Sequence, residues 1–187
     1  CRPPFSAQMS VSRSVADPAF DADVNVMGSL NLALAAIDAG SRVVFSSTGG
    51  ALYGAAEVMP TPESAPAWPV SPYGISKLAF EHYLFGFHAT RGLGYTALRY
   101  ANVYGPRQNP PGEAGVVAIF RAGQPGKRPF QIHGEGTDTR NALHLPAMER
   151  ANPHALASPP RAPVTVGPGP QPGTHPTPRP PPPARGQ

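Results

Sequence analysis

Ser71-Pro-Tyr-Gly-Ile-Ser-Lys77 is the stretch on which the reading of the fold turns. A serine followed by a proline marks a helix start. The Ser71 hydroxyl can accept from an unpaired backbone N–H, and Pro72 suits the first helical position, where an N–H would have no partner. Tyr73 and Lys77 stand four apart, so they share one face of that helix. A phenol beside an ammonium ionises more readily, because the positive charge favours the phenolate. A tyrosine tuned in this way can take a proton from a hydroxyl group near neutral pH, which an ordinary tyrosine does poorly. The chain has only two lysines and six tyrosines. A solvated pair four apart on a surface helix is the competing reading, and the neighbouring segments decide between the two.

Downstream, Leu78, Tyr83, Leu84 and Phe87 continue the helix, and Arg91-Gly92 stops it. Tyr95-Thr-Ala-Leu-Arg-Tyr100 then reads as a strand, and Ala101–Arg107 as a loop. Glu113–Gly123 reads as a short helix, and Phe130–His133 as a short strand. Upstream, Asp17–Ala39 is a helix with Asp21 and Asp23 at its start, where negative charge is favoured. Val26, Leu30, Ala33, Leu34 and Ile37 recur at helical spacing, with Gly40 as the stop. Arg42-Val-Val-Phe-Ser46 is the β-branched and aromatic run of a buried parallel strand. Small hydroxyl and glycine residues follow it, Ser46-Ser-Thr-Gly-Gly50, where open α/β sheets place their ligands. Residues 55–70 hold four prolines and read as an irregular loop, and residues 1–14 carry little signal beyond Phe5-Ser-Ala-Gln-Met9, which fits the close of a strand entering a loop. The order helix, strand, helix, strand implies right-handed crossovers and a mostly parallel sheet. The expected class is α/β: a partial Rossmann-like, doubly wound parallel sheet lacking its N-terminal nucleotide-binding half, with a disordered Pro-rich tail.

Composition divides the chain near residue 150. Thirteen of the 27 prolines lie in 151–187, with few large apolar side chains between them. That segment reads as disordered or polyproline-like, because it cannot bury enough surface to offset its ordering entropy. The net charge of +4 is also a property of this end: no acidic residue follows Glu149, while Arg161, Arg179 and Arg185 do. Residues 1–150 are almost balanced, which is no footprint for nucleic acid. One cysteine allows no internal disulfide, and no apolar run reaches the roughly 20 residues that span a bilayer. A cytoplasmic protein without membrane partners is the expectation. His82 and His88 are six apart, poor geometry for a shared metal, so no metal site is expected. Pro180-Pro-Pro-Pro-Ala-Arg185 fits a Pro-x-x-Pro-x-Arg ligand, a match that so proline-rich a tract produces by composition alone.

Five motifs in order carry a family resemblance: Asn25-Val-Met-Gly28, Phe45-Ser-Ser-Thr48, Tyr73-x-x-x-Lys77, Leu98-Arg-Tyr-Ala-Asn-Val-Tyr-Gly-Pro-Arg107 and a weaker Gly134-Glu-Gly-x-x-x-Arg140. Together they resemble the extended short-chain dehydrogenase/reductase family in its NAD-dependent epimerase/dehydratase branch, and most of all the UDP-glucose 4-epimerases. The resemblance implies residues 1–150 as the C-terminal part of such a domain. It implies NAD as cofactor and a nucleotide sugar as substrate. Tyr73 would be the acid/base, with Lys77 tuning it and holding the nicotinamide ribose. Thr48 would hydrogen-bond the reacting sugar oxygen, with Ser47 beside it. Asn25 and the backbone near Ala101 would lie along the nicotinamide half of NAD, and Asn102 and Arg140 would contact the substrate diphosphate. In the 4,6-dehydratases Asp and Glu follow the threonine position. Gly49 and Gly50 stand here, which favours an epimerase and leaves dehydratases and decarboxylases of the branch as alternatives. The family's Gly-x-x-Gly-x-x-Gly turn is not found in the sequence. A truncated remnant or binding module unable to hold NAD is therefore the other class of reading. In relatives the helices corresponding to 21–39 and 71–90 form a dimerising bundle, so a homodimer is a further expectation.

Overall fold

The computed structural model describes residues 7–54, 61–108, 142–157 and 163–167. The chain begins with α1 (Val11–Ala16), α2 (Pro18–Ala22), a π-helical turn (Asp23–Met27) and α3 (Gly28–Asp38). Then come β1 (Val43–Thr48), α4 (Gly49–Leu52), α5 (Pro72–Arg91), β2 (Tyr95–Tyr100) and β3 (Asn102–Tyr104). The last described elements are β4 (Ala142–His144), α6 (Leu145–Ala157) and β5 (Val164–Val166). The strands β1, β2 and β5 form one parallel sheet with β2 in the centre, and β3 pairs with β4 in a second.

The central strand sorts its side chains by parity, as a pleated strand must. Tyr95 and Ala97 pack against Phe80 and Leu84 of α5 and Ala33 of α3. Leu98 and Tyr100 pack on the other face with Ala155 and Met148 of α6. All six residues of β2 are buried, because helices cover both faces and strands both edges. This is the doubly wound α/β arrangement read from the sequence.

The long helix α5 begins and ends as its residues dictate. Ser71 Oγ accepts from Gly74 N at 3.2 Å, and Pro72 takes the first turn. At the other end Gly92 adopts φ +70°, and its N–H and that of Leu93 return to His88 and Phe87. Gly74 sits where the helix meets α4. A Cβ there would lie 2.6 Å from the Ala51 carbonyl oxygen and 2.8 Å from Pro69 Cβ. Gly74→Ala is therefore expected to lower unfolding free energy by about 1–3 kcal/mol or more. Urea denaturation should show a lower midpoint at unchanged slope.

Several expectations shift. The helix expected over 17–39 is three segments, and Asp21, in the first turn of α2, is buried at 1% exposed. Residues 11–16, which carried no signal, form α1, capped by Ser10. Asn102–Tyr104, expected as loop, forms β3. The segment from 151 onward, expected as a disordered tail, holds regular structure among its described residues: α6 runs across residue 150 and Val164–Val166 joins the main sheet. The reason is local: Met148, Ala155 and Val166 supply enough apolar surface to pack on the second face of β2. Glu113–Gly123, Phe130–His133, the Gly134-Glu-Gly136 turn and Pro180–Arg185 lie outside the described residues.

Candidate active site

The C-terminal end of β1 and the first turns of α5 meet, and they carry Thr48, Tyr73 and Lys77. Lys77 is 6% exposed. Its Nζ donates to the Ser46 carbonyl at 3.1 Å and lies 4.8 Å from the Phe45 ring centre and 5.8 Å from that of half-buried Tyr73. The helical spacing of Tyr73 and Lys77 thus places a cation beside the phenol ring. Burial pushes the Lys77 ammonium down from 10.5 to about 8, partly offset by the negative charge of Asp21.

This shift has a consequence for stability. Between pH 8 and 10.5 the unfolded chain binds more protons at this lysine than the folded one, so stability should rise with pH across that window. Below pH 8 the full desolvation penalty is present, on the order of 3 kcal/mol. In Lys77→Met this part of the pH dependence should be missing from urea melts taken from pH 7 to 10.5.

Thr48 ends β1 and starts α4, and its Oγ1 accepts from Ala51 N at 3.3 Å. A hydroxyl that accepts one bond keeps its own proton to donate. Ser47, one residue earlier, faces the other way: it is buried and its Oγ donates to Glu81 Oε1 at 2.5 Å. The two adjacent hydroxyls thus have different fates. Ala101 donates its N–H to the Val166 carbonyl, and Asn102 is exposed next to Gly50, where an added Cβ would meet Asn102 Oδ1 at 3.2 Å. Arg140 lies outside the described residues.

Asn25 occupies the π-helical turn, 3% exposed. Its Oδ1 accepts from Gln8 N at 3.0 Å, and its Nδ2 donates to Gln8 O at 2.9 Å and Asp21 Oδ1 at 3.0 Å. Both amide protons and the carbonyl oxygen are thus engaged inside the protein. Its side chain ties residue 8 to the helix. Lys77 does suit a dinucleotide's ribose. An ammonium has three protons, and the one hydrogen bond to Ser46 leaves donors for a diol.

Sequence reading passed over a buried polar network behind these residues. Glu81, 4% exposed, receives Arg99 Nε at 3.1 Å on each carboxylate oxygen and Nη2 at 2.6 Å on Oε2. Arg99 Nη1 donates to Tyr53 OH at 2.7 Å. The signal was present in the spacing: Glu81 follows Lys77 by four and Tyr73 by eight, a third polar residue on the face that also buries Phe80 and Leu84. A shallow concavity of about 400 Å³ opens among Gln8, Met9, Ser10 and Arg13, and none of Thr48, Tyr73, Lys77, Ala101 or Asn102 lines it. Among the described residues no three metal-ligating side chains gather, and no helix is long and apolar enough to cross a membrane.

A model of the NAD dependent epimerase/dehydratase family matches residues 4–167. The UDP-glucose 4-epimerase of Mycolicibacterium smegmatis is 50% identical over 142 residues, covering 75% of this chain and 45% of the relative. The solved UDP-glucose 4-epimerase of Thermotoga maritima with UDP-glucose has a TM-score of 0.83 at 47% identity, covering 86% of this chain and 53% of that one. That of Thermus thermophilus in complex with NAD has a TM-score of 0.79 at 42% identity, with 87% and 54% covered. The chain spans about half the length of the relatives it matches.

Proposed function

Because the chain belongs to the NAD-dependent epimerase/dehydratase family, we propose that it forms part of an enzyme that inverts C4 of a nucleotide sugar of the UDP-glucose/UDP-galactose kind. The observation that carries this reading is the buried Lys77 ammonium held beside the Tyr73 ring at the end of β1. NAD, when bound, supplies the acceptor and donor of hydride. In this reading Tyr73 takes the proton of the C4 hydroxyl and later returns it. Lys77 keeps positive charge next to the phenol, which lowers the cost of its ionised form. Its remaining N–H groups orient the nicotinamide ribose. Thr48 donates its hydroxyl proton to the sugar oxygen, helped by the Ala51 bond that fixes its oxygen. Asn102 and Arg140 are proposed to contact the diphosphate.

Epimerisation is favoured over dehydration by the two glycines after Thr48. A Cβ at Gly49 would stand 3.3 Å from the carbonyl oxygens of Arg99 and Tyr100, and one at Gly50 3.2 Å from Asn102 Oδ1. Neither position offers an acid or base. Exposed apolar side chains on the two long helical segments, Met27, Leu34, Ile75 and Phe85, support a homodimer through these faces. The single cysteine suits a reducing cytoplasm.

Titration of the purified chain with NAD+, followed by assay of UDP-galactose conversion, tests the proposal. Bound cofactor with production of UDP-glucose is the expected result; neither binding nor turnover would overturn it. That second outcome is the one required by a remnant or binding module.

A further inference from the structure

Successive turns of α5 reach successive residues of β1. Lys77 donates to the Ser46 carbonyl, and one turn later Glu81 receives the Ser47 hydroxyl. Thr48 is the next residue along, and its own Oγ1 starts α4. The same carboxylate holds Arg99 of β2, which pairs in register with Ser47 and extends to Tyr53 just beyond α4. Ser47, Glu81 and Arg99 are all buried, so these bonds do not compete with bulk water.

We propose that Glu81 is a positioning residue for the Thr48 hydroxyl: it clamps the end of β1 to α5 through Ser47, and braces that clamp against β2 through Arg99. The inference rests on the proposed role of Thr48 and adds a group that touches neither sugar nor cofactor. Hydroxyl placement matters because a misplacement of about 1 Å in a reacting group can cost roughly 100-fold in rate.

The network separates two kinds of variant. Ser47→Ala removes the link to β1 while Glu81 Oε1 keeps its bond from Arg99 Nε, so the ion pair survives. Glu81→Gln keeps an oxygen for Ser47 but removes the charge that Arg99 needs. If Glu81 positions Thr48, the Thr48 methyl order parameter should fall in Ser47→Ala, with the urea midpoint close to that of the parent chain. In Glu81→Gln the midpoint should fall more, with Thr48 order better kept. With NAD+ and UDP-galactose, Ser47→Ala should lose roughly 10- to 100-fold in kcat at unchanged KM.

A network that only holds the core together predicts otherwise: Thr48 order would follow stability in both variants. That pattern, or unchanged Thr48 order in Ser47→Ala, would overturn the proposal. Should the parent chain show no turnover, the proposed reaction fails, and the methyl measurement alone decides on the clamp.

Discussion

Arg99→Leu is expected to lower unfolding free energy by about 3–5 kcal/mol, the usual effect of leaving a buried partner charge uncompensated. Glu81 would then be a carboxylate 4% exposed, with only the Ser47 hydroxyl to satisfy it. The Tyr53 hydroxyl would lose its donor as well. Exchanging both partners, as Glu81→Met with Arg99→Leu, should be milder than the single change, because no lone charge is then buried. It should not reach neutrality, since Ser47 and Tyr53 remain without their partners. A double-mutant cycle by urea denaturation measures both points. A loss in the double variant equal to the sum of the Glu81→Met and Arg99→Leu losses would show that the ion pair contributes nothing beyond its packing.

Tyr73→Phe is expected to lower turnover of UDP-galactose by about 10²- to 10⁴-fold, the range for loss of a positioned acid/base. The phenyl ring keeps the face that Lys77 approaches at 5.8 Å, so the local packing survives. Affinity for the nucleotide sugar should stay within about twofold, because the proposed diphosphate contacts lie elsewhere. Undiminished turnover would take Tyr73 out of the mechanism.

The parts of the fold that were legible in the sequence are those with strong local chemistry. Ser71-Pro72 and Gly92 bracket α5 because a cap and a left-handed glycine are decided within a few residues. Tyr95–Tyr100 was readable because a strand buried on both faces is apolar nearly throughout, with Arg99 its one charged exception. That exception was the clue to the Glu81 network, and it required knowing that α5 lies over the odd face of β2. The π-helical turn around Asn25 left no such trace. It depends on a bond from Gly28 N to Asp23 O and on Gln8 docking from 17 residues away. Strand β5 was missed because Val164-Thr-Val166 is short and set among prolines, and only pairing with β2 gives it regular structure.

The threading of the sheet also shapes how the chain emerges during synthesis. The middle strand acquires one neighbour from residues 43–48 as soon as it appears, but its other flank stays open until residue 166 has left the ribosome. At ordinary translation speeds that interval is roughly 3–13 s. A nascent chain in that state presents an unpaired, apolar β-edge to its surroundings, the feature most apt to recruit a chaperone or a second copy.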